Sequence, residues 1–311
     1  MSEFIRFGKA APPRPARLVR PVGTERLTAN ERRMSNKIIS SISELSATAD
    51  SVALQQAIAT GNIGVAIQSY NWGTFGTRMS ETRIEMLQQL RQTGAAELQS
   101  LRGVIGSIAF DTTDVRATAW AAARSGELVV KTSEVIQQQV REAVTNAFIQ
   151  GFDGRQVEQQ LARQIGLFPR WANAVERQFE TNLGLFQEQG MSLPDAREKA
   201  QRLADKYSKR LVKARANNIA RTEIVSASNQ GRYISWLQAA DKGLIDPATA
   251  MKEWVAEADA CPECEEYDTE LVALEDEFES GDLMPPAHPS CRCSAVIVPG
   301  EFGPPQETRE Q

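Results

Sequence analysis

The residues best suited to chemistry lie close together near the end of this 311-residue chain, which contains four cysteines and one histidine in all. They follow one another in a compact pattern, C-x2-C, then 23 residues, then H-P-x-C-x-C, with these members: Cys261, Cys264, His288, Cys291 and Cys293. Thiolate sulfur and imidazole nitrogen are preferred ligands of Zn²⁺, and a structural zinc takes four of them. The pattern therefore predicts a structural zinc site with five candidate ligands.

The sequence leaves the choice of ligands open. If a metal is bound, Cys261 and Cys264 hold it from one turn, and Cys291 and Cys293 can complete a four-thiolate site that His288 supports from outside. Alternatively, His288 replaces one of those two thiolates. The alternatives without metal are free thiols or disulfides, and disulfides compete if the protein meets oxidising surroundings.

Enzymatic uses of the same residues fit the pattern less well. Zinc deaminases of nucleobases carry H-x-E ahead of their cysteine pair, whereas the histidine of this chain follows the pair. A metalloprotease helix of the H-E-x-x-H type needs two histidines. A nucleophilic pair of Cys291 and His288 is conceivable, but their closeness in sequence suits chelation better than catalysis. The chain is therefore predicted not to be an enzyme.

Two groups of residues ahead of the first cysteine also stand out. Ala-Arg-Thr-Glu, with Arg221, Thr222 and Glu223, is followed by Asn229, and on a helix the side chains of Arg221 and Glu223 diverge because they are two residues apart. We interpret this motif as structural pairing inside a helical bundle, and a transferase built around Arg221 and Glu223 is the alternative. Nearer the cysteines, Trp254 and Asp259 are expected to pack against the metal loop and cap its turn.

The elements that must position these residues are predicted to be helices almost throughout. Apolar residues recur at three- and four-residue spacing in several stretches, and Ser133 is a plausible N-cap for one of them. The predicted helices cover residues 35–59, 78–103, 115–123, 133–150, 156–165 and 198–228, and the one clear strand covers 295–298. The predicted fold is mainly α-helical, with a small C-terminal α+β element held by zinc or by disulfides.

Charge is distributed unevenly along the chain, although the formal net charge is only −5. Residues 1–33 contain eight Arg or Lys and three Glu among several prolines, which indicates an extended basic arm that could contact a partner or nucleic acid. By contrast, residues 253–282 contain thirteen acids and no Lys or Arg, so this region is better suited to a protein surface than to phosphates. No apolar run approaches the ~20 residues of a membrane helix, and the first residues lack a signal-peptide core. We therefore expect a soluble protein made in a cytoplasm, without a membrane partner.

The whole ordered pattern resembles the phage head morphogenesis proteins, the Mu F-like minor capsid proteins of tailed phages. The resemblance consists of Ala-Arg-Thr-Glu, Asn-x-Gly, Trp-x4-Asp-x-Cys-x2-Cys and Pro-Pro-x-His-Pro-x-Cys-Arg-Cys, and it covers about residues 130–299. One departure is visible: many members carry Asp-Gly shortly after the first cysteine pair, where this chain has Asp268 and Thr269. The resemblance therefore does not predict the conformation of the turn at Asp268 and Thr269.

The resemblance implies a virion component that is associated with the portal and with head assembly or DNA delivery. Its partners would be the portal protein and other head proteins, with DNA as a possible partner of the arm. It would lie in the head interior or at the portal vertex, and in the host cytoplasm during assembly. The predicted parts are a basic proline-rich arm (1–34), an N-terminal helical region (35–130), a Mu F-like head morphogenesis domain with the Cys/His cluster at 261–293 (131–298), and a flexible tail (299–311). A zinc protein that binds DNA is the alternative function.

Overall fold

A computed structural model describes residues 27–298; the predicted tail at 299–311 and most of the predicted arm lie outside this range. Within it the chain forms eleven helices and a three-stranded sheet. The helices are α1 (Ala29–Ala47), α2 (Ser51–Thr60), α3 (Ile63–Gln68), α4 (Trp72–Ser80), α5 (Thr82–Ser100), α6 (Arg102–Ile105), α7 (Val115–Gln150), α8 (Gly154–Gln164), α9 (Pro169–Glu188), α10 (Leu193–Asp241) and α11 (Pro262–Glu266). The strands are β1 (Met251–Val255), β2 (Leu271–Ala273) and β3 (Ser294–Val298). The prediction of a mainly helical protein with a small C-terminal α+β element is confirmed in these terms.

Side-chain caps explain where several helices begin. The Thr28 hydroxyl accepts the N–H of Glu31, and the Glu31 carboxylate accepts the N–H of Thr28, which forms a capping box at the start of α1. Asp50 caps α2 by accepting the N–H of Ala53. The prediction of one helix over residues 35–59 was wrong at this point, because the Asp50 cap begins a new helix.

Helix α7 runs without a break from Val115 to Gln150, so the prediction that Ser133 caps a separate helix was wrong. The Ser133 hydroxyl instead donates to the carbonyl oxygen of Val129 one turn earlier, as serines inside helices do. The domain boundary predicted near residue 130 falls within this helix. One apolar core also joins side chains from both sides of that position, including Met34, Met86, Ile136 and Ile224.

Helix α10 is the longest element, with 49 residues, which corresponds to a length of about 70 Å. It contacts α1, α5, α7, α8, α9 and β3. Its approach to α5 depends on glycine, because a Cβ atom on Gly231 would lie 2.3 Å from the carbonyl oxygen of Leu90. The two helix backbones therefore meet at a position where only glycine fits without a shift.

The sheet has the order β2-β1-β3, and both pairs are antiparallel. Alternate residues of β1 point into a second apolar core, in which Trp236 of α10 and Trp254 of β1 are fully buried with Cys264, Cys291 and Cys293. The short sheet thus packs the cysteine segment against the end of α10. No helix in residues 27–298 is both long and apolar enough to cross a membrane.

Candidate metal centre

Two short segments bring the five candidate ligands into one cluster, which we term the Cys/His cluster. Cys261 stands at the N-cap of α11 and Cys264 lies inside that helix, while the other three come from the loop that leads into β3. The Nε2 atom of His288 lies 3.1 Å from the Sγ of Cys261 and 3.0 Å from the Sγ of Cys264. The Sγ atoms of Cys264 and Cys291 lie 3.6 Å apart. Two donor triads result, Cys261–Cys264–His288 and Cys264–Cys291–Cys293, and they share Cys264.

The orientation of the imidazole suits a metal ligand. Nδ1 lies 3.0 Å from the carbonyl oxygen of Pro289, so that the ring donates from Nδ1 and presents the lone pair of Nε2 to the thiols. Burial lowers the pKa of His288, but the Pro289 carbonyl and the neighbouring Cys261 outweigh it, and the pKa is raised overall. A histidine held in this way is oriented for coordination through Nε2.

The cysteines of the cluster are free thiols, and their spacing could accommodate a metal ion. All four cysteines have free thiols, and 3.6 Å between the sulfurs of Cys264 and Cys291 is far beyond an S–S bond of about 2.05 Å. Burial raises the pKa of Cys264 to about 12. A hydrogen bond from Cys291 lowers the pKa of Cys293 to about 6, against the effect of burial. Protons must leave several of these thiols when a metal binds, and soft sulfur donors of this kind fit Zn²⁺.

The loop that carries His288 and Cys291 is fixed from the side of α10. The backbone N–H of Ser290, a residue with a φ of 66°, donates to the Thr222 hydroxyl over 2.8 Å. The buried amide of Asn229 donates to the carbonyl oxygens of Pro285 at 3.0 Å and Cys293 at 2.9 Å. Asn229 therefore holds both ends of the ligand loop, and Thr222 holds its middle.

The residues of the Ala-Arg-Thr-Glu motif face different parts of the molecule. Arg221 forms an ion pair with Glu31 at the start of α1, over 3.7 Å. Glu223 pairs with Arg124 of α7, over 2.6 Å. Together with the bond from Thr222 to the ligand loop, the motif ties α10 to α1, to α7 and to the Cys/His cluster. Its arrangement is that of a structural junction, with the Arg221 and Glu223 side chains divergent as expected.

Trp254 and Asp259 both lie beside the cluster, but they act differently. Trp254 packs edge-on against Tyr267 and Phe278, at centroid distances of 5.4 and 5.1 Å. Its buried indole N–H has no hydrogen-bond partner among residues 27–298. Asp259 forms an ion pair with Arg292, the residue between the last two cysteines. Trp254 thus packs in the core with the cysteines, and Asp259 holds the ligand loop through its ion pair with Arg292.

Asp268 and Thr269, where the sequence departs from the family pattern, form a hydrogen-bonded turn. Thr269 has a φ of 72°, a conformation that favours glycine. Its N–H donates to the carbonyl oxygen of Trp254 over 2.9 Å, and the Asp268 carboxylate accepts the N–H of Ala256 over 2.9 Å. The threonine therefore occupies the glycine conformation of an otherwise intact turn.

One prominent buried residue gave no sequence signal. The side chain of Lys252 in β1 is fully buried, and its ammonium group donates to the carbonyl oxygens of Leu274 and Asp276. It also lies 5.3 Å from the ring centroid of Phe278. Lysine is rarely a core residue, so only the alternation of the strand, once known, could have indicated its inward direction.

Comparison with known proteins agrees with the motif. The model of the family described as Phage Mu protein F like protein matches residues 138–296, slightly more than half of the chain. No curated protein and no solved structure matches. The matched range begins within α7, ends within β3, and includes α10, β1, β2 and the whole Cys/His cluster. The chain belongs to the Phage Mu protein F like family, which indicates a role in phage head morphogenesis.

Proposed function

We propose that this chain is a minor capsid protein that enters the phage head beside the portal and serves head assembly or DNA delivery. The observation that carries the proposal is the placement of the family's motif residues: those of α10 join three parts of the protein instead of lining a catalytic cleft. Arg221 holds α1, Glu223 holds α7, and Thr222 and Asn229 hold the ligand loop. This arrangement suits a rigid assembly component.

We further propose a structural zinc bound by Cys261, Cys264, His288 and Cys291. His288 lies 3.1 Å from the sulfur of Cys261 and 3.0 Å from that of Cys264, and the sulfur of Cys291 lies 3.6 Å from that of Cys264. Cys293 would remain buried beside Trp254 without binding the metal. A bound zinc would link α11 to the loop before β3, and its contribution to folding is on the order of 10 kcal/mol. Four protein ligands leave no coordination position for a substrate.

Elemental analysis of the purified protein tests the zinc proposal. We expect about one zinc per chain, lost in Cys264→Ser and in His288→Ala and retained in Cys293→Ser. Protein without zinc, purified under reducing conditions from zinc-supplemented cells, would overturn the proposal. Retention by Cys291→Ser together with loss by Cys293→Ser would overturn the ligand assignment alone.

Co-expression with the portal protein of the same phage tests the head assignment. We expect the two proteins to co-purify and to form lysine–acid cross-links, and we expect mass spectrometry to detect the chain in purified procapsids. Cys264→Ser should reduce incorporation, whereas the exposed control Arg102→Glu should not. A chain missing from both procapsids and mature heads would overturn the assignment.

The charge of residues 1–33 favours DNA as an additional partner. Deletion of this segment should reduce binding to duplex DNA and flatten its dependence on salt, because fewer phosphate contacts release fewer counterions. Unchanged binding and an unchanged salt slope would remove the arm from this role.

A further inference from the structure

A groove between α5 and α7 has a volume of about 550 Å³, and no residue of the Cys/His cluster lines it. Its apolar lining comes from Ile84 and Leu87 of α5 and from Ala121 and Ala122 of α7. Ile84 is 53% exposed, whereas Met86 and Leu90 of the same helix are fully buried. The groove is therefore an apolar strip that this part of the chain leaves open to solvent.

Arginines surround the strip. Arg83 and Arg91 line it, and Arg33 of α1 reaches its edge, where it donates to the Gln88 side chain over 3.2 Å. Among residues 27–298, no carboxylate forms an ion pair with any of these three arginines, and the lining includes no acidic residue. The buried Nε of Arg91 also has no hydrogen-bond acceptor in the described chain. The groove thus combines an apolar floor with unneutralised guanidinium groups.

We propose that this groove binds an acidic amphipathic helix of a partner protein. An apolar floor takes the apolar stripe of a helix, as in other helix-in-groove complexes. Guanidinium groups are matched to carboxylates, with which they form paired hydrogen bonds. An apolar groove alone would bind many apolar helices. The arginines at the edges of this groove repel basic helices and therefore favour acidic ones.

The spacing of the arginines defines the helix that fits. Arg83 and Arg91 are eight residues apart on α5, which corresponds to about 12 Å along its axis. A helix that lies along the groove can match them with acidic residues seven or eight positions apart, while apolar residues at three- and four-residue spacing lie between. The Gln88, Gln92 and Thr118 side chains on the groove walls add neutral hydrogen-bonding groups.

Fluorescence anisotropy with designed helical peptides tests the proposal on the full-length protein. The probe carries a leucine stripe flanked by glutamates seven residues apart, and three further peptides carry lysines for the glutamates, serines for the leucines, or a scrambled order. We expect saturable binding of the first peptide alone, weakened at least tenfold in Arg83→Glu/Arg91→Glu. Ala122→Trp, which fills the groove and keeps its charge, should weaken binding to a similar extent.

Arg102→Glu is the matched control, since it reverses an exposed arginine outside the groove and should leave the affinity unchanged. Circular dichroism verifies that each variant remains folded. Equal binding of the serine peptide would overturn the proposal, because it would reveal charge attraction without an apolar site. Displacement of the probe by a duplex DNA oligomer, with loss of that competition in the double variant, would also overturn it and identify a phosphate site.

Discussion

The side-chain amide of Asn229 donates to the carbonyl oxygen of Cys293 over 2.9 Å, although 64 residues separate them in the sequence. The same amide reaches Pro285, and the Asn229 carbonyl oxygen accepts a hydrogen bond from Arg232 over 2.8 Å. One buried side chain on α10 therefore satisfies backbone groups at both ends of the ligand loop. The Asn-x-Gly motif therefore has two structural roles. Asn229 anchors the ligand loop, and Gly231, two residues further on, allows the close approach of α10 to α5.

Replacing Asn229 with alanine should destabilise the protein by about 2–3 kcal/mol, because two buried carbonyl oxygens lose their donor. Asn229→Asp should be at least as harmful, since its oxygen would face those carbonyls. Urea unfolding measures the effect. Asn218→Ala, an exposed change on the same helix, is the control and should shift stability by less than about 0.5 kcal/mol. Similar midpoints for Asn229→Ala and Asn218→Ala would contradict the anchoring role.

Gly231→Ala should destabilise the protein by about 1–3 kcal/mol through overpacking, because the new methyl group would meet the backbone of Leu90. A matched control lies within α7: a Cβ atom on Gly126 would have no neighbour within 4 Å. Gly126→Ala should stabilise by about 0.5–1 kcal/mol, since alanine is the better helix former. Thermal unfolding of both variants compares them directly. A Gly231→Ala protein as stable as Gly126→Ala would show that the helices are not in close contact.

Thr269→Gly should stabilise the protein by about 1 kcal/mol, because glycine adopts a positive φ without the steric strain that a β-branched residue has there. The Thr269 side chain is exposed, so its removal sacrifices little packing. Thr269→Ala is the control: it removes the same side chain but keeps the Cβ atom, and should gain less. Chemical denaturation of the three proteins gives the ranking. A destabilised Thr269→Gly would indicate that the turn adopts a different conformation in solution.

The sequence predicted the parts of the site that depend on local pattern and left out those that depend on tertiary contact. The spacing of the cysteines and the histidine was sufficient to predict that these residues lie together, and the apolar run at 295–298 was sufficient to predict β3. Strand β1 was missed because Lys252 makes it look polar, although that lysine points into the core. The predicted end of α10 at residue 228 was too early. Glycine is a poor helix former, but Gly231 lies inside α10 because the backbone of α5 approaches it there.

Lys252 provides a test based on pH. Burial lowers its pKa from 10.5 to about 8, against the weaker attraction of Asp276 and Glu277. The folded protein therefore releases this proton at lower pH than the unfolded chain does. Between about pH 8 and 10.5 the unfolded state binds more protons, so this lysine should make stability rise with pH, by an amount on the order of 2–3 kcal/mol.

Lys252→Met isolates this effect, because it keeps the length and the apolar stem of the side chain but removes the titrating group. We expect the stability of the wild type, relative to Lys252→Met, to increase between pH 7.5 and pH 10 in urea unfolding experiments. Other groups titrate in the same range, but they contribute equally to both proteins and cancel in the difference. Lys131→Met, at an exposed position on α7, should follow the wild type at every pH. A pH-independent difference between wild type and Lys252→Met would contradict a buried amine with a depressed pKa.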